Sequence, residues 1–305
     1  MVKEKKIIII AGPTASGKTD LALYLAQKFN GEIICADSRT IYKKMNIGTA
    51  KPSFEERLKI PHYLIDFLEP DQEFTVAEFK EKALVLIEQI FKKYKIPFLV
   101  GGTGLYLQAV VENLDIPPVP PDKKLRKQLE KEIQKKGLET LWKKLIKLDP
   151  QAADFVQKEN PRRVIRALEV CLKTKKPFSL LRKKGTPLFN SLSIGPSFNK
   201  QELKKRIDQR VEKMISQGLV KEIQELIKQY PLSSPGFNSI GYQEIISHLQ
   251  GEVSLTEAIS LIKKNTYQYA RRQMTWFKKD KKINWVKNYT EAEKLIKDFL
   301  KDMAL

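Results

Sequence analysis

The stretch that leaves this chain the fewest options runs from Lys5 to Thr19. Ile7 to Ile10 is a short apolar run, far too brief for a membrane span, and predicts a buried strand. The strand empties into Gly12-Pro13-Thr14-Ala15-Ser16-Gly17-Lys18-Thr19, where two glycines bracket four residues just ahead of Lys-Thr, and Leu21, Leu23 and Leu25 mark a helix beyond. That order predicts a phosphate cradle, because backbone N–H groups and the helix N-terminus can point together at phosphate oxygens. Lys18 adds a point charge, and the Thr19 hydroxyl is suited to hold Mg²⁺. The loop alone does not say which phosphates it holds.

Further apolar runs predict more strands of one parallel sheet. Gly31 to Arg39 reads as a short buried strand delivering Asp37 and Ser38 at its carboxyl end, the end of an open α/β sheet where ligands bind. Asp37 there suits a proton acceptor, a partner of a metal's water shell, or a simple turn cap. Pro61 to Asp66 reads as another strand, and a helix is expected from Val76 to about Tyr94. Ile96 to Val100 then leads into Gly101-Gly102-Thr103-Gly104, where glycines permit close backbone approach and Thr103 brings a hydroxyl to the rim that carries Asp37.

Composition narrows the partners. Among 305 residues, 56 Lys and Arg face 36 Asp and Glu, a net charge of +20 that suits a polyanion, nucleic acid above all. Cys35 and Cys171 offer neither a zinc quartet nor a disulfide framework, and His62 and His248 stand alone, so a metal site built on them is not expected. With no signal segment or membrane span to be seen, a cytoplasmic protein is expected. Nothing calls for a partner chain, so a monomer is expected.

The basic residues concentrate after Glu112. A proline run, Pro117-Pro118-Val119-Pro120-Pro121, reads as a stiff hinge. Beyond it, 123–136 carries seven Lys or Arg and two Glu around the stripe Leu125, Leu129, Ile133, and Leu138, Leu141, Leu145 and Leu148 mark a second amphipathic helix. Asn160-Pro161 starts a third helix, with Arg162 and Arg166 on one face, either paired internally with Glu169 or open to RNA. The expected organisation is therefore an α/β core with a parallel sheet flanked by helices, like that of P-loop NTPases, covering 1–111 and 200–305, with an inserted all-helical domain over 112–199. On the returning helix, 201–217, Arg206 and Arg210 sit one turn apart, placed either to clamp a diphosphate or merely to be solvated. A last helix, 255–277, carries Asn265, Tyr269, Arg272 and Trp276 on one ridge, with Trp276 expected in the core.

The ordered set of Gly12 to Thr19, Asp37-Ser38-Arg39-Thr40-Ile41-Tyr42, Ile47 to Pro52, Gly101 to Tyr106, Pro161 to Val170, Ile240 to Glu244 and Ala270 to Phe277 resembles the tRNA dimethylallyltransferases, also called tRNA isopentenyltransferases. The resemblance implies transfer of a dimethylallyl group from its diphosphate to N6 of the adenosine 3′ to the anticodon. It further implies Mg²⁺ on Thr19 and a diphosphate gripped by Gly12, Thr14, Ala15, Ser16, Gly17, Lys18, Thr19, Arg206 and Arg210. Catalysis would fall to Asp37, Thr103, Lys18 and Arg210. tRNA would be bound by Asp37, Ser38, Arg39, Thr40, Thr103, Arg126, Arg162, Arg163, Val164, Ile165 and Arg166. Thr40 departs from the Gln usual in the family, and Tyr267 from an Arg. A small-molecule kinase and a nucleic-acid motor share the phosphate loop. A motor, however, needs an acidic strand end, for which Tyr63-Leu64-Ile65-Asp66 is the only fair candidate, and neither alternative accounts for both the cradle and the +20 charge.

Overall fold

A computed structural model describes residues 5–117, 119–181 and 184–301, so Pro118 of the expected hinge lies outside the described residues. The chain forms two compact units. One runs to Val111 and resumes at Leu188, and the other is Glu112–Pro187.

The first unit opens with β1 (Lys6–Ala11), α1 (Lys18–Lys28) and β2 (Gly31–Cys35). Next come α2 (Phe54–Lys59), β3 (His62–Tyr63), α3 (Val76–Lys92), β4 (Ile96–Gly101) and α4 (Gly104–Val111). The strand expected over 61–66 is thus confined to two residues. Beyond it Leu64 and Asp66 take positive φ (55° and 58°), which turns the chain away from the ladder.

The helical unit holds α5 (Lys123–Lys136), α6 (Leu138–Leu148), α7 (Pro161–Thr174) and α8 (Phe178–Leu181). Leu129, Leu141, Leu145, Val164, Ile165 and Leu168 form its core. Leu148, assigned to the apolar stripe of α6, ends up exposed at the helix terminus.

The first unit then resumes with β5 (Asn190–Pro196), α9 (Lys200–Ser216), α10 (Leu219–Gln229), α11 (Tyr242–Leu249), α12 (Leu255–Phe277), β6 (Ile283–Val286) and α13 (Tyr289–Leu300). The boundary expected at 199 therefore moves back to Pro187. β5 pairs in parallel with β1 from Lys6↔Asn190 to Ile10↔Ile194, so these residues belong to the sheet and not to the insertion.

All strand pairings are parallel, in the order β3-β2-β4-β1-β5-β6. β1 is central, and the strand period of two explains why an unbroken isoleucine run suits it. Ile7 and Ile9 pack on the side of α3 and α4, whereas Ile8 and Ile10 pack with α1 and α13. A further apolar core gathers Leu203, Ile207 and Val211 of α9 with Leu219, Tyr242, Ile245 and Ile262. Because every strand runs the same way, the loops after β1, β2, β4, β5 and β6 all emerge at one edge of the sheet.

Among the described residues, no helix is long and apolar enough to cross a membrane.

Candidate active site

The loop after β1 turns into α1 at Gly17, whose φ of 87° is left-handed and which a side chain would strain. α1 has no side-chain cap at this end, so its first N–H groups remain available to an anion. Ala15 also sits at positive φ (61°), a conformation that the surrounding contacts have to enforce. A cleft of about 490 Å³ opens on this loop and is lined by Ala15, Ser16, Gly17, Lys18 and Thr19, with Arg206 and Arg210 on a second wall and Lys287, Asn288 and Tyr289 on a third.

The cleft is electropositive and partly dry. Burial pushes the Lys18 ammonium down to about 8. The Asp37 carboxylate works against that shift, and the Arg210 guanidinium adds to it. Lys18 Nζ donates to Pro13 O at 3.2 Å, so its remaining hydrogens are free for a ligand. Burial likewise lowers Arg210, again opposed by Asp37. Arg210 Nη1 donates to Thr14 Oγ1 at 3.3 Å, and Arg206 Nη1 reaches Ser16 O at 3.4 Å while its other amino group pairs with Glu202. Both arginines therefore contact the loop.

Asp37 follows β2, and its Oδ1 accepts from Arg39 N (2.8 Å) and Thr40 N (3.4 Å). This is a side-chain turn, the cap alternative raised from the sequence. It occupies one carboxylate oxygen only, since no described residue donates to Oδ2. Thr103 joins the same rim, donating N–H to Ala36 O (3.2 Å) and accepting at Oγ1 from Ser38 N (3.1 Å). Burial raises the Tyr269 hydroxyl to about 12, reinforced by Asp37, which places this α12 side chain within the same field. The carboxylate, the ammonium, the guanidinium and the threonine thus gather at one sheet edge.

Other expectations need correction. Val164 and Ile165 are buried in the helical core (0% and 6% exposed), so their side chains cannot meet RNA. Arg126 and Arg166 are committed to Glu169, which is fully buried. Arg126 binds it through Nε and Nη2 (both 2.8 Å), Arg166 through Nη1 (2.6 Å), and Glu169 also accepts from Asp122 N (2.7 Å). Arg162 and Arg163 are exposed and have no side-chain partner among the described residues. The Thr40 side chain is buried, and its Oγ1 has no hydrogen-bond partner among the described residues. Arg39 sits beside it and donates from Nη1 to Pro235 O at 3.3 Å. Trp276 is 37% exposed and lies against Gly104 and not in the core, because the buried face of α12 is the one that carries Ala270, Gln273 and Phe277.

Asp66, the one fair motor-type acid, is bound by Lys51 Nζ at 2.6 Å and by Arg57 Nη1 at 3.4 Å. Lys51, with a side chain 2% exposed, spends its other hydrogens on Tyr42 O (2.7 Å) and Asn46 Oδ1 (2.9 Å). Both charges hold the 46–52 loop in place. Glu222 pins the far end of that loop, accepting from the N–H groups of Asn46, Ile47 and Gly48 and from the Tyr242 hydroxyl. Gln273 is a residue of this edge that motif and spacing do not assign. It is buried and hydrogen-bonded to both Thr14 and Gly102, and only its place within the Ala270 to Phe277 block singled it out.

The family profile described as IPP transferase matches residues 40–280. A tRNA dimethylallyltransferase of Acetivibrio thermocellus is 47% identical over 298 residues, spanning 96% of this chain and 95% of its own. Its counterpart from Halothermothrix orenii is 46% identical over 308 residues, spanning 97% and 94%. The crystal structure of a full-length tRNA isopentenylpyrophosphate transferase from Bacillus halodurans matches with a TM-score of 0.72 at 38% identity, over 98% of this chain and 96% of that one. A eukaryotic dimethylallyltransferase acting on tRNA matches with a TM-score of 0.74 at 32% identity, over 89% and 69%.

Proposed function

Because the chain belongs to the IPP transferase family of tRNA dimethylallyltransferases, we propose that the edge carrying Lys18, Asp37, Thr103 and Arg210 is where it transfers a dimethylallyl group to tRNA. The enzyme moves that group from dimethylallyl diphosphate to N6 of the adenosine 3′ to the anticodon. The observation that carries this reading is the half-used Asp37 carboxylate, one oxygen fixing its own turn and the other open in the field of two half-buried cations, Lys18 and Arg210.

In the reaction the N6 lone pair attacks the prenyl C1, the C1–O bond breaks and diphosphate leaves with the bonding pair. An exocyclic adenine amine is a weak nucleophile because its lone pair is delocalised into the ring, so alignment matters more than basicity. Lys18 and Arg210 neutralise charge as it grows on the departing oxygen, in surroundings dry enough to strengthen that contact. Asp37 Oδ2 accepts the amine proton. Thr103 holds Ser38, and through it the turn that aims the carboxylate. The base leaves its stack to reach this rim, at a cost of roughly a few kcal/mol offset by contacts to the base and flanking phosphates.

Mg²⁺ fits the donor set. Thr19 lines the cleft with a hydroxyl that no described residue occupies, and Asp20 is adjacent. Mg²⁺ takes most of its ligands from phosphate and water, so a hydroxyl beside the phosphate loop is a sufficient protein contribution. When bound it supplies further positive charge to the leaving group.

Among the described residues of the helical unit, Arg162 and Arg163 are the guanidiniums open to RNA. Arg162→Ala is expected to weaken tRNA binding and to lower the slope of log affinity against log salt by about one. An unchanged slope in filter-binding titrations puts Arg162 off the RNA.

The pH response follows from Lys18. Its folded value of about 8 lies below the free-lysine range, so the ammonium is charged below pH 8 and is lost above it. Affinity for inorganic diphosphate should therefore fall as pH rises through about 8, with proton uptake on binding seen by calorimetry in two buffers of different ionisation heat. Binding that is flat from pH 7 to 9 excludes Lys18 as the titrating grip.

The test of the whole reading is purified protein incubated with bulk tRNA and either dimethylallyl diphosphate or ATP, followed by mass analysis of the nucleosides. A C5H8 gain on adenosine is expected. Phosphate release from ATP without that gain would favour a kinase or motor.

A further inference from the structure

Gln273 spends both ends of its side-chain amide on the two halves of the site. Its Oε1 accepts from Thr14 N in the phosphate loop at 2.9 Å, and its Nε2 donates to Gly102 O, just before Thr103, at 2.9 Å. The residue is 7% exposed, so neither bond is exchanged cheaply for water. Gly102 is needed for the contact, because a Cβ there would lie 2.4 Å from Gln273 Nε2 and 3.3 Å from Gly12 O. Thr14 is held from a second side by Arg210, and Thr103 in turn holds Ser38, the neighbour of Asp37. Arg210, Thr14, Gln273, Gly102, Thr103 and Ser38 thus form a continuous chain of backbone and hydrogen-bonded links from the leaving-group cradle to the turn that aims the proton acceptor.

This inference rests on the prenyl-transfer reading. We propose that Gln273 is a positioning residue that sets the separation between the diphosphate cradle and the acceptor rim. An in-line displacement tolerates little error in the distance between attacking and departing atoms, and a misplacement of about 1 Å can cost on the order of 100-fold. The glutamine amide suits this duty, since it donates and accepts at once from a planar group whose orientation is settled by its two partners. Its role is felt at neither substrate's binding contacts but in how the two sites are held relative to each other. Loss of Gln273 should therefore appear in kcat and not in KM.

The test compares full-length Gln273→Met and Gln273→Glu with the wild type under steady-state conditions, together with thermal midpoints and calorimetric binding of inorganic diphosphate. Methionine preserves length and approximate volume but makes neither hydrogen bond. Glutamate keeps the acceptor for Thr14 N and loses the donor to Gly102 O. For Gln273→Met the expected result is a kcat lower by roughly 30- to 100-fold, with KM for both substrates and the affinity for diphosphate within about threefold of wild type. Gln273→Glu should fall at least as far as Gln273→Met, because the bond from Thr14 N survives but a carboxylate oxygen then faces the Gly102 carbonyl, acceptor against acceptor. Wild-type kcat in Gln273→Met overturns the inference. So does a loss confined to KM, or a fall in thermal midpoint with kcat per folded molecule unchanged, since either marks a merely structural residue. The parallel wild-type assay scores the underlying reading separately. No C5H8 gain in the wild type overturns prenyl transfer and, with it, this role for Gln273. A normal gain in the wild type and in Gln273→Met alike overturns only the role of Gln273.

Discussion

Asp37→Asn lowers turnover by about 10²- to 10⁴-fold while leaving tRNA affinity within a few-fold, the signature of a lost general base. Asparagine is the sharper variant because its side-chain oxygen can still accept from Arg39 N and Thr40 N, so the turn that Asp37 builds survives. Alanine removes turn and proton acceptor together, and the drop it causes, expected to be at least as large, confounds the two. Single-turnover measurements with saturating enzyme isolate the chemical step from product release. An Asn variant turning over at the wild-type rate would remove Asp37 from proton transfer and leave it as the cap its hydrogen bonds also describe.

Glu169→Ala is expected to destabilise the helical unit by about 2–4 kcal/mol. Removing the acid from a buried ion pair strands its partners, an effect of about 3–5 kcal/mol when those partners are fully enclosed. Here Arg126 and Arg166 keep side chains 35% and 31% exposed and can recover some hydration, which reduces the figure. The Asp122 N–H at the start of α5 also loses its acceptor. Hydrogen exchange is the fitting measurement, because it reads α5 and α7 separately from the sheet of the other unit. Faster exchange restricted to those helices supports the assignment, and unchanged protection there would show that Glu169 contributes no net stability. Glu169→Gln should be milder, since a neutral oxygen remains for the Asp122 N–H.

Much of the site can be read along the chain because phosphate binding is a local device. A strand, a glycine loop and a helix N-terminus must be consecutive to work, so Gly12 to Thr19 declares itself in fifteen residues' company at most. Asp37 and Thr103 were accessible for a related reason. In a parallel sheet each strand's carboxyl end reaches the same edge, so polar residues that follow apolar runs are brought together whatever the strand order. β5 is not legible along the chain because Asn190-Ser191-Leu192-Ser193 is polar for an interior strand. Its place comes from β1 and β6 on either side of it, not from its own hydropathy.

The fate of charges and of single side chains was settled differently. Arg126, Arg162, Arg163 and Arg166 look alike as basic residues on helices, yet two are tied to Glu169 and two stand free. Arg126 and Glu169 come from different helices, and only their packing brings them within hydrogen-bond reach. Trp276 shows the same limit, since helical spacing says which ridge it occupies but not whether another element covers the end of that ridge. By itself the sequence determined the strand–glycine loop–helix order of Lys6 to Lys28, the parallel α/β class and the surplus of positive charge, because each depends on neighbours along the chain or on a simple sum. Only the tertiary structure decided which cations are free, where the insertion ends and that Gln273 spans from Thr14 to Gly102. Those outcomes depend on contacts between segments far apart along the chain, and a side chain acquires such partners only once the packing of other elements has set its surroundings.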